Sequence, residues 1–392
     1  MDKIGMDLGK KRSDVCVMAA ADQVSERFKV TTTRAGLTTA FALRPAAMIA
    51  VESCRSSTWV KEHLEQLGHT VVVIDTTRVR ALGVGQGRRK NDQRDAEMLA
   101  RALCSGVVPR AHVLSHEARR VRDVLHTRAQ LVAQRTALVT MIRGQFEAQG
   151  IVVPTCDAAK FAATLGRTDA ELVEGVHIQA VLRVLASVNQ ELEVLTAELE
   201  ALAARQEAYP RLRTVPGVKL IVALSFIAAL DRADRFRDAH QVEAYLGLVP
   251  SEMSTGGRQR LGHITKAGNP RARVMLVQAA HVLLRARRHQ DDPLVVWARQ
   301  LAARRGKRIA VVALARRLTG VLWAMWQDGT DYDARAVAGA SAAGMSRRLR
   351  RTQQEVAAMQ RLAIGCRPTA APVVLARAEH RLRTNVDIRR LR

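Results

Sequence analysis

Polar and apolar positions alternate over residues 3–7, 14–19 and 27–31, with breaks at Gly9-Lys10-Lys11 and Ala21-Asp22, so the chain is expected to open as a three-strand meander. A helical stretch near 35–43, an apolar run at 48–51, a helix near 58–67 and a second run at 70–74 follow. A further helix starts near Asp92 and carries Ala96, Leu99, Ala100 and Leu103. Strands that alternate with helices imply parallel pairing, and the whole predicts a mixed α/β sheet over the first hundred or so residues.

After Pro109 the period changes. Val121, Val124, Leu125, Leu131, Leu138 and Ile142 recur at helical spacing without a proline, which predicts one extended helix. Val181, Leu185, Val188, Leu192, Leu195, Leu199 and Leu202 step by four and three in alternation, the pattern of a coiled-coil seam within the chain or between chains. Thr214-Val-Pro-Gly-Val218 then reads as a turn between helices, a hairpin that presents backbone N–H groups to a phosphate. Residues 245–270 are glycine-rich, helical periodicity returns over 272–284 and 309–326, and the end from 346 is arginine-rich. The expected division is a sheet domain at 1–110, a coiled-coil or helical linker at 111–208, a mainly helical domain at 209–335 and a basic tail at 336–392.

Composition narrows the function. A chain of 392 residues exceeds one ordinary core. Its 62 Lys and Arg against 37 Asp and Glu give a net charge of +25, which calls for a polyanionic partner, nucleic acid first. An anionic membrane surface is the rival, but the longest apolar stretch is read near 220–230, too short to span a bilayer, and secretion is not expected because the N-terminus enters a strand pattern almost at once. A bacterial cytoplasmic, nucleoid-associated protein is expected. Cys16, Cys54, Cys104, Cys156 and Cys366 lie far apart, so neither a zinc site nor a disulfide framework is suggested.

Two constellations carry chemistry. Asp7 stands in the first strand where alternation calls for a neutral residue, Glu52 ends the fourth strand beside it, and Asp92 and Asp95 share a face at a helix start. Four such acids can hold two Mg²⁺ ions, or Mn²⁺, for phosphoryl transfer; taken singly, Asp92 also fits a helix N-cap, Asp95 a first-turn dipole partner, Glu52 a surface acid at a strand end and Asp7 a turn former. The second constellation runs from Gly247 to Arg273. There a hydroxyl at Ser254 or Thr255 lies beside Gly256-Gly257 among Arg258, Arg260, Lys266, Arg271 and Arg273. It reads either as an attacking group or as a loop that positions DNA by its phosphates. His263 in the same loop reads as a backbone or phosphate contact, and Trp297, Trp323 and Trp326 as core.

In combination, Ile4-Gly-Met-Asp7, Val51-Glu52-Ser, Lys90-Asn-Asp92-Gln-Arg-Asp95-Ala, Val215-Pro-Gly-Val218, Tyr245-Leu-Gly-Leu-Val-Pro250, Ser254-Thr-Gly256 and Ile264-Thr-Lys-Ala-Gly268-Asn resemble the DEDD transposases of insertion sequences. These are relatives of Piv-type DNA invertases, described as bridge-RNA-guided recombinases. The resemblance covers roughly residues 3–330. It implies a RuvC-like N-terminal domain whose acids Asp7, Glu52, Asp92 and Asp95 hold Mg²⁺. It also implies a serine in the C-terminal domain that forms a phosphoserine link to DNA, a tetramer, and an RNA of the element that pairs with donor and target DNA. Counting back from Thr265-Lys266 places the serine at Ser254; counting forward from Pro250 points at Thr255. Against this stand a Holliday-junction-type nuclease that uses the same acids to activate water, and a non-catalytic nucleic-acid scaffold.

Overall fold

The computed structural model describes residues 1–20, 23–75, 92–106, 108–168, 170–252 and 260–336. They fall into one unit ending at Ser115 and a second starting at His116. In the first unit β1 (Lys3–Asp7), β2 (Arg12–Ala20), β3 (Gln23–Thr31), β4 (Met48–Glu52) and β5 (Thr70–Ile74) form a single sheet in the order β3-β2-β1-β4-β5. The meander strands pair antiparallel, and β1, β4 and β5 pair parallel, because parallel neighbours need a crossover. Helices α1 (Arg34–Phe41) and α2 (Ser57–Gln66) lie in those connections, and α3 (Asp92–Cys104) follows β5.

Alternation along each strand sorts side chains between two faces. Ile4, Met6, Val15, Val17, Ile49 and Val51 pack with Leu37 and Phe41 of α1 and Val60 and Leu64 of α2. Ala50, Val72 and Ile74 point the other way and meet Met98, Leu99, Ala102 and Leu103 of α3. On that face a Cβ at Gly5 would lie 1.9 Å from the Ala96 carbonyl oxygen and 2.5 Å from the Ala100 nitrogen. The backbone of α3 therefore rests directly on β1, which requires a glycine in the strand and small residues on the helix.

The direction of α3 follows from its contacts. Glu97 pairs with Arg27 at 2.6 Å, and Arg27 lies across from Cys16, itself across from Gly5. Cys104 Sγ lies 3.9 Å from Met18 Sδ, and Met18 is across from Lys3. Hence α3 runs antiparallel to β1, with its N-terminus toward Asp7.

The second unit begins with α4 (His116–Glu147), unbroken as its periodicity demands. Antiparallel to it runs α5 (Val176–Ala204), tied by Arg120–Glu198 at 2.7 Å, Arg128 to Thr196 at 3.2 Å and Arg135 to Asn189 at 3.3 Å. Leu185, Val188, Leu192, Leu199 and Leu202 of the heptad are buried. One end of this pair closes over Phe161 and Leu165. The other end, through Val121, Leu125, Leu199 and Leu202, is continuous with Leu224 and Ala228 of α6 (Leu220–Leu230). Arg122 donates to the Ala228 and Ala229 carbonyls at 2.8 and 3.1 Å, satisfying acceptors that a helix end leaves open.

Besides short helical turns, the elements that follow are α7 (Ala239–Tyr245), β6 (Pro250–Glu252), β7 (Leu261–Ile264), α8 (Pro270–Arg285), α9 (Pro293–Arg305) and α10 (Lys307–Asp328). Val311, Leu314, Leu318, Leu322 and Met325 of α10 pack with Leu276, Ala280 and Leu283 of α8 and Leu294 and Ala298 of α9; Trp297, Trp323 and Trp326 flank this core. By length and composition α10, and not the shorter stretch at 220–230, is apolar enough to cross a membrane; here Val311, Leu314, Leu318 and Leu322 are core while Ile309 is exposed. Helix α9 was also unforeseen, although Asp292 caps it by accepting from the Leu294 N–H at 2.8 Å ahead of Pro293. At the Pro-Gly turn the Thr214 and Val215 N–H groups donate back to the Arg211 and Leu212 carbonyls, and the Val218 N–H donates to the Val215 carbonyl. Gly217, at φ 81°, sits so that a Cβ would be 3.1 Å from the Ala279 carbonyl oxygen. Those donors are thus engaged, and the turn is a packing device against α8.

Gly5→Ala is expected to destabilise the first unit by at least about 1–3 kcal/mol, the range for overpacking, read by urea unfolding. An unchanged midpoint would mean that α3 is not seated on β1.

Candidate active site and nucleic-acid interface

Asp7 and Glu52 end adjacent parallel strands, one register step beyond the Met6–Val51 pair. Asp7 is two residues on from Gly5 and Glu52 two on from Ala50, so both belong to the face that α3 covers. Because the N-terminus of α3 lies toward this end, Asp95 joins the same edge; the side chain of Asp92 lies outside the described residues. Asp7 and Glu52 both have interaction partners in the fold. Among the described residues no three Asp, Glu, His or Cys side chains already form a metal-holding group. Mg²⁺ commonly uses only one or two protein carboxylates, completing its shell with water and substrate phosphate. Carboxylate oxygens on one sheet edge fit that donor preference.

Sequence reasoning missed a further acid here. Asp14 is directly across from Asp7 in β2 and is 7% exposed. The signal was its parity with Cys16 and Met18, which places it on the α3 face, hidden because an acid at a strand start reads as a turn. Lys29, across from it in β3, approaches to 3.5 Å. Glu97 was missed as well: it takes Arg101 at 2.9 Å and Arg27 at 2.6 Å, tying β3 to α3. Burial opposes the ionisation of Glu97, but hydrogen bonds from Arg101 and Arg27 outweigh it and hold the carboxyl below its ordinary value. Cys16 lies beneath this cluster, and burial pushes its thiol up. Cys16, Cys54, Cys104 and Cys156 are all free; Cys366 lies outside the described residues.

In the second constellation β6 and β7 pair antiparallel. Ser254, Thr255 and Arg258 lie outside the described residues. At the base of this pair Gly247 and Gly268, both at positive φ, leave no room for side chains: a Cβ on Gly268 would be 1.9 Å from the Tyr245 carbonyl oxygen. Asn269 accepts from the Arg271 and Ala272 N–H groups, capping α8 with Pro270 at its first position. Arg260, His263 and Lys266 are exposed. Arg271 and Arg273, expected to face phosphates, turn inward instead. Arg271 donates to the Leu125 carbonyl at 2.8 Å and contacts His126 at 3.0 Å, while Arg273 donates to the Leu246 and Ala267 carbonyls at 3.0 and 2.7 Å. Arg271 adds a donor to a carbonyl on the flank of α4, and Arg273 supplies donors to the Leu246 and Ala267 carbonyls at the tight turn.

Outward-facing charge lies elsewhere. Beyond Arg271 and Arg273, residues 270–328 hold ten Lys or Arg and three Asp or Glu, and one of those acids, Asp292, is engaged with the α9 cap and the Tyr332 hydroxyl. Arg304, Arg305, Lys307 and Arg308 at the α9–α10 junction are all exposed. This surface suits a phosphate backbone.

Residues 4–148, which include all four acids first identified, match a DEDD transposase family model. Residues 209–294 match the model described as "Transposase IS116/IS110/IS902 family". A "Probable family 20 transposase" of Pseudomonas aeruginosa is 31% identical over 340 residues, 85% of this chain and 98% of the relative. The chain belongs to the IS116/IS110/IS902 transposase family. The transposase for insertion sequence element IS1328 of Yersinia enterocolitica is 28% identical over 84% of this chain and 98% of its own length. That for element IS1111A of Coxiella burnetii is 31% identical over 60% of this chain and 66% of its own. This transposase is therefore an enzyme of DNA transposition, and DNA is its substrate.

A carboxyl held low in the fold contributes stability above its unfolded pKa, about 4.3 for Glu, and loses it as the pH falls through the folded value. Glu97→Gln is expected to reduce the drop in Tm between about pH 5 and 3 relative to wild type. Parallel Tm–pH curves would show that the Arg27–Glu97–Arg101 group contributes nothing there.

Proposed function

We propose that Asp7, Glu52, Asp92 and Asp95 form a Mg²⁺-binding edge of a RuvC-like domain at which this transposase cuts and rejoins the DNA of its insertion sequence. The observation that supports it is the meeting of Asp7 and Glu52 at neighbouring parallel strand ends, on the face where α3 brings its acidic N-terminus. Bound there, Mg²⁺ would neutralise charge on the phosphoryl oxygens and steady the attacking and leaving oxygens. The acids position the scissile phosphate, and the basic α9–α10 surface holds the flanking duplex.

In this reading Ser254 is the attacking hydroxyl. Its oxygen forms a bond to phosphorus as one DNA ester bond breaks; its proton leaves to solvent or a carboxylate, and the released DNA hydroxyl takes one up. Reversal by a different DNA hydroxyl rejoins strands without hydrolysis. An RNA of the element, pairing with donor and target DNA, supplies the choice of site. A tetramer, a dimer of dimers assembled through the α4–α5 coiled coil, brings serine and acids together on bacterial nucleoid DNA.

Purified protein mixed with the element's RNA, donor and target duplexes and Mg²⁺ is expected to give DNA covalently shifted by protein on a denaturing gel. The shift should disappear in Ser254→Ala, in Asp7→Ala and on chelation of the metal. Free cleaved ends with no shift would replace the serine step with water attack, and omission of the RNA without effect would remove the guide.

A further inference from the structure

We propose that Lys29, held in place by the buried Asp14, binds a phosphodiester flanking the one that is cut. This rests on the reading of the Asp7 edge as the place of cleavage. A carboxylate is costly to bury without a partner, and Asp14, 7% exposed, has Lys29 Nζ at 3.5 Å from its Oδ2. A cross-strand ion pair serving stability alone gains little and has no need to bury its acid. The Lys29 side chain is 54% exposed, and an ammonium carries three donors, more than one carboxylate contact occupies.

Lys29 and Asp14 line an open cleft of about 190 Å³ together with Val15, Arg27, Phe28 and Gln93. Gln93 lies on the first turn of α3 between Asp92 and Asp95, so the cleft begins where the acidic edge ends. Arg27 is drawn to Glu97 at 2.6 Å, so among the described lining residues Lys29 is the cation directed into the cleft. An edge that ends in Asp7 and Glu52 repels a DNA strand, and a point positive charge on its flank offsets that repulsion and draws in phosphate oxygens. Lys29 stands two strand spacings from β1, roughly 10 Å. That separation places it over a neighbouring phosphate.

The test uses the full-length transposase and a labelled duplex carrying the element's end, titrated without divalent metal at several salt concentrations. Lys29→Ala should weaken binding about 3–10-fold and reduce the slope of log affinity against log salt by about 0.9, one phosphate contact, while Lys29→Arg restores most of both. Asp14→Asn should repeat the Lys29→Ala loss in part, with the Mg²⁺ midpoint for cleavage within about twofold of wild type. Unchanged affinity and slope in Lys29→Ala would overturn the proposal. So would a tenfold rise in the Mg²⁺ midpoint of Asp14→Asn with DNA binding intact, which would make Asp14 a metal ligand. Since the slope is read without metal or cleavage, a failure here is distinct from the failure of the acidic edge, which Asp7→Ala reports.

Discussion

The close approach of α3 to β1 at Gly5 is the contact on which the acidic edge depends. With a Cβ 1.9 Å from the Ala96 carbonyl oxygen excluded, only glycine lets the helix backbone lie against the strand. The antiparallel course fixed by Arg27–Glu97 and by Met18 near Cys104 then carries the first turn of the helix to the end of the sheet where β1 and β4 finish. Strand pairing alone brings Asp7 next to Glu52; α3 adds Asp95 from a different part of the chain. The site is thus assembled from segments nearly ninety residues apart by one backbone contact and one ion-pair clamp.

A different constraint shapes the second unit. Gly247 and Gly268 let the Tyr245–Gly247 and Lys266–Gly268 backbones meet, and Arg273 bridges them through the Leu246 and Ala267 carbonyls. The family motifs in this region are therefore partly architectural: Asn269-Pro270 is a helix cap, and Gly268 a contact. What they position is the β6–β7 pair that flanks Ser254. Cations divide accordingly, Arg122, Arg271 and Arg273 satisfying carbonyls of the fold and Arg304, Arg305, Lys307 and Arg308 facing out. Net charge alone cannot make that distinction, because an arginine counts the same whether its donors meet carbonyl oxygens or solvent.

The acids divide in a similar way. Asp292 caps α9 and accepts from Tyr332, and Glu97 holds β3 to α3, whereas Asp7, Glu52 and Asp95 stand at the sheet edge. Asp14 belongs to both groups, since it is buried like a structural acid yet placed opposite Asp7. The β2–β3 side of the edge also carries positive charge, Arg27 paired with Glu97 and Lys29 beside Asp14.

Much was legible in the sequence where local rules operate. Two-residue alternation marked the three meander strands, apolar runs marked β4 and β5, the three-to-four-residue period marked α4 and α5, and the order of strands and helices implied that β4 lies beside β1, hence that Asp7 and Glu52 meet. Tertiary structure decided what depends on distant partners. It settled that Asp14 faces the α3 side and is buried, that Arg271 and Arg273 point inward, that the Pro-Gly turn packs on α8, and that α10 packs its buried face into the core. The physical reason is the range of the forces. Backbone periodicity is written over a few neighbouring residues, whereas desolvation and hydrogen-bond satisfaction depend on whichever segment the fold brings alongside.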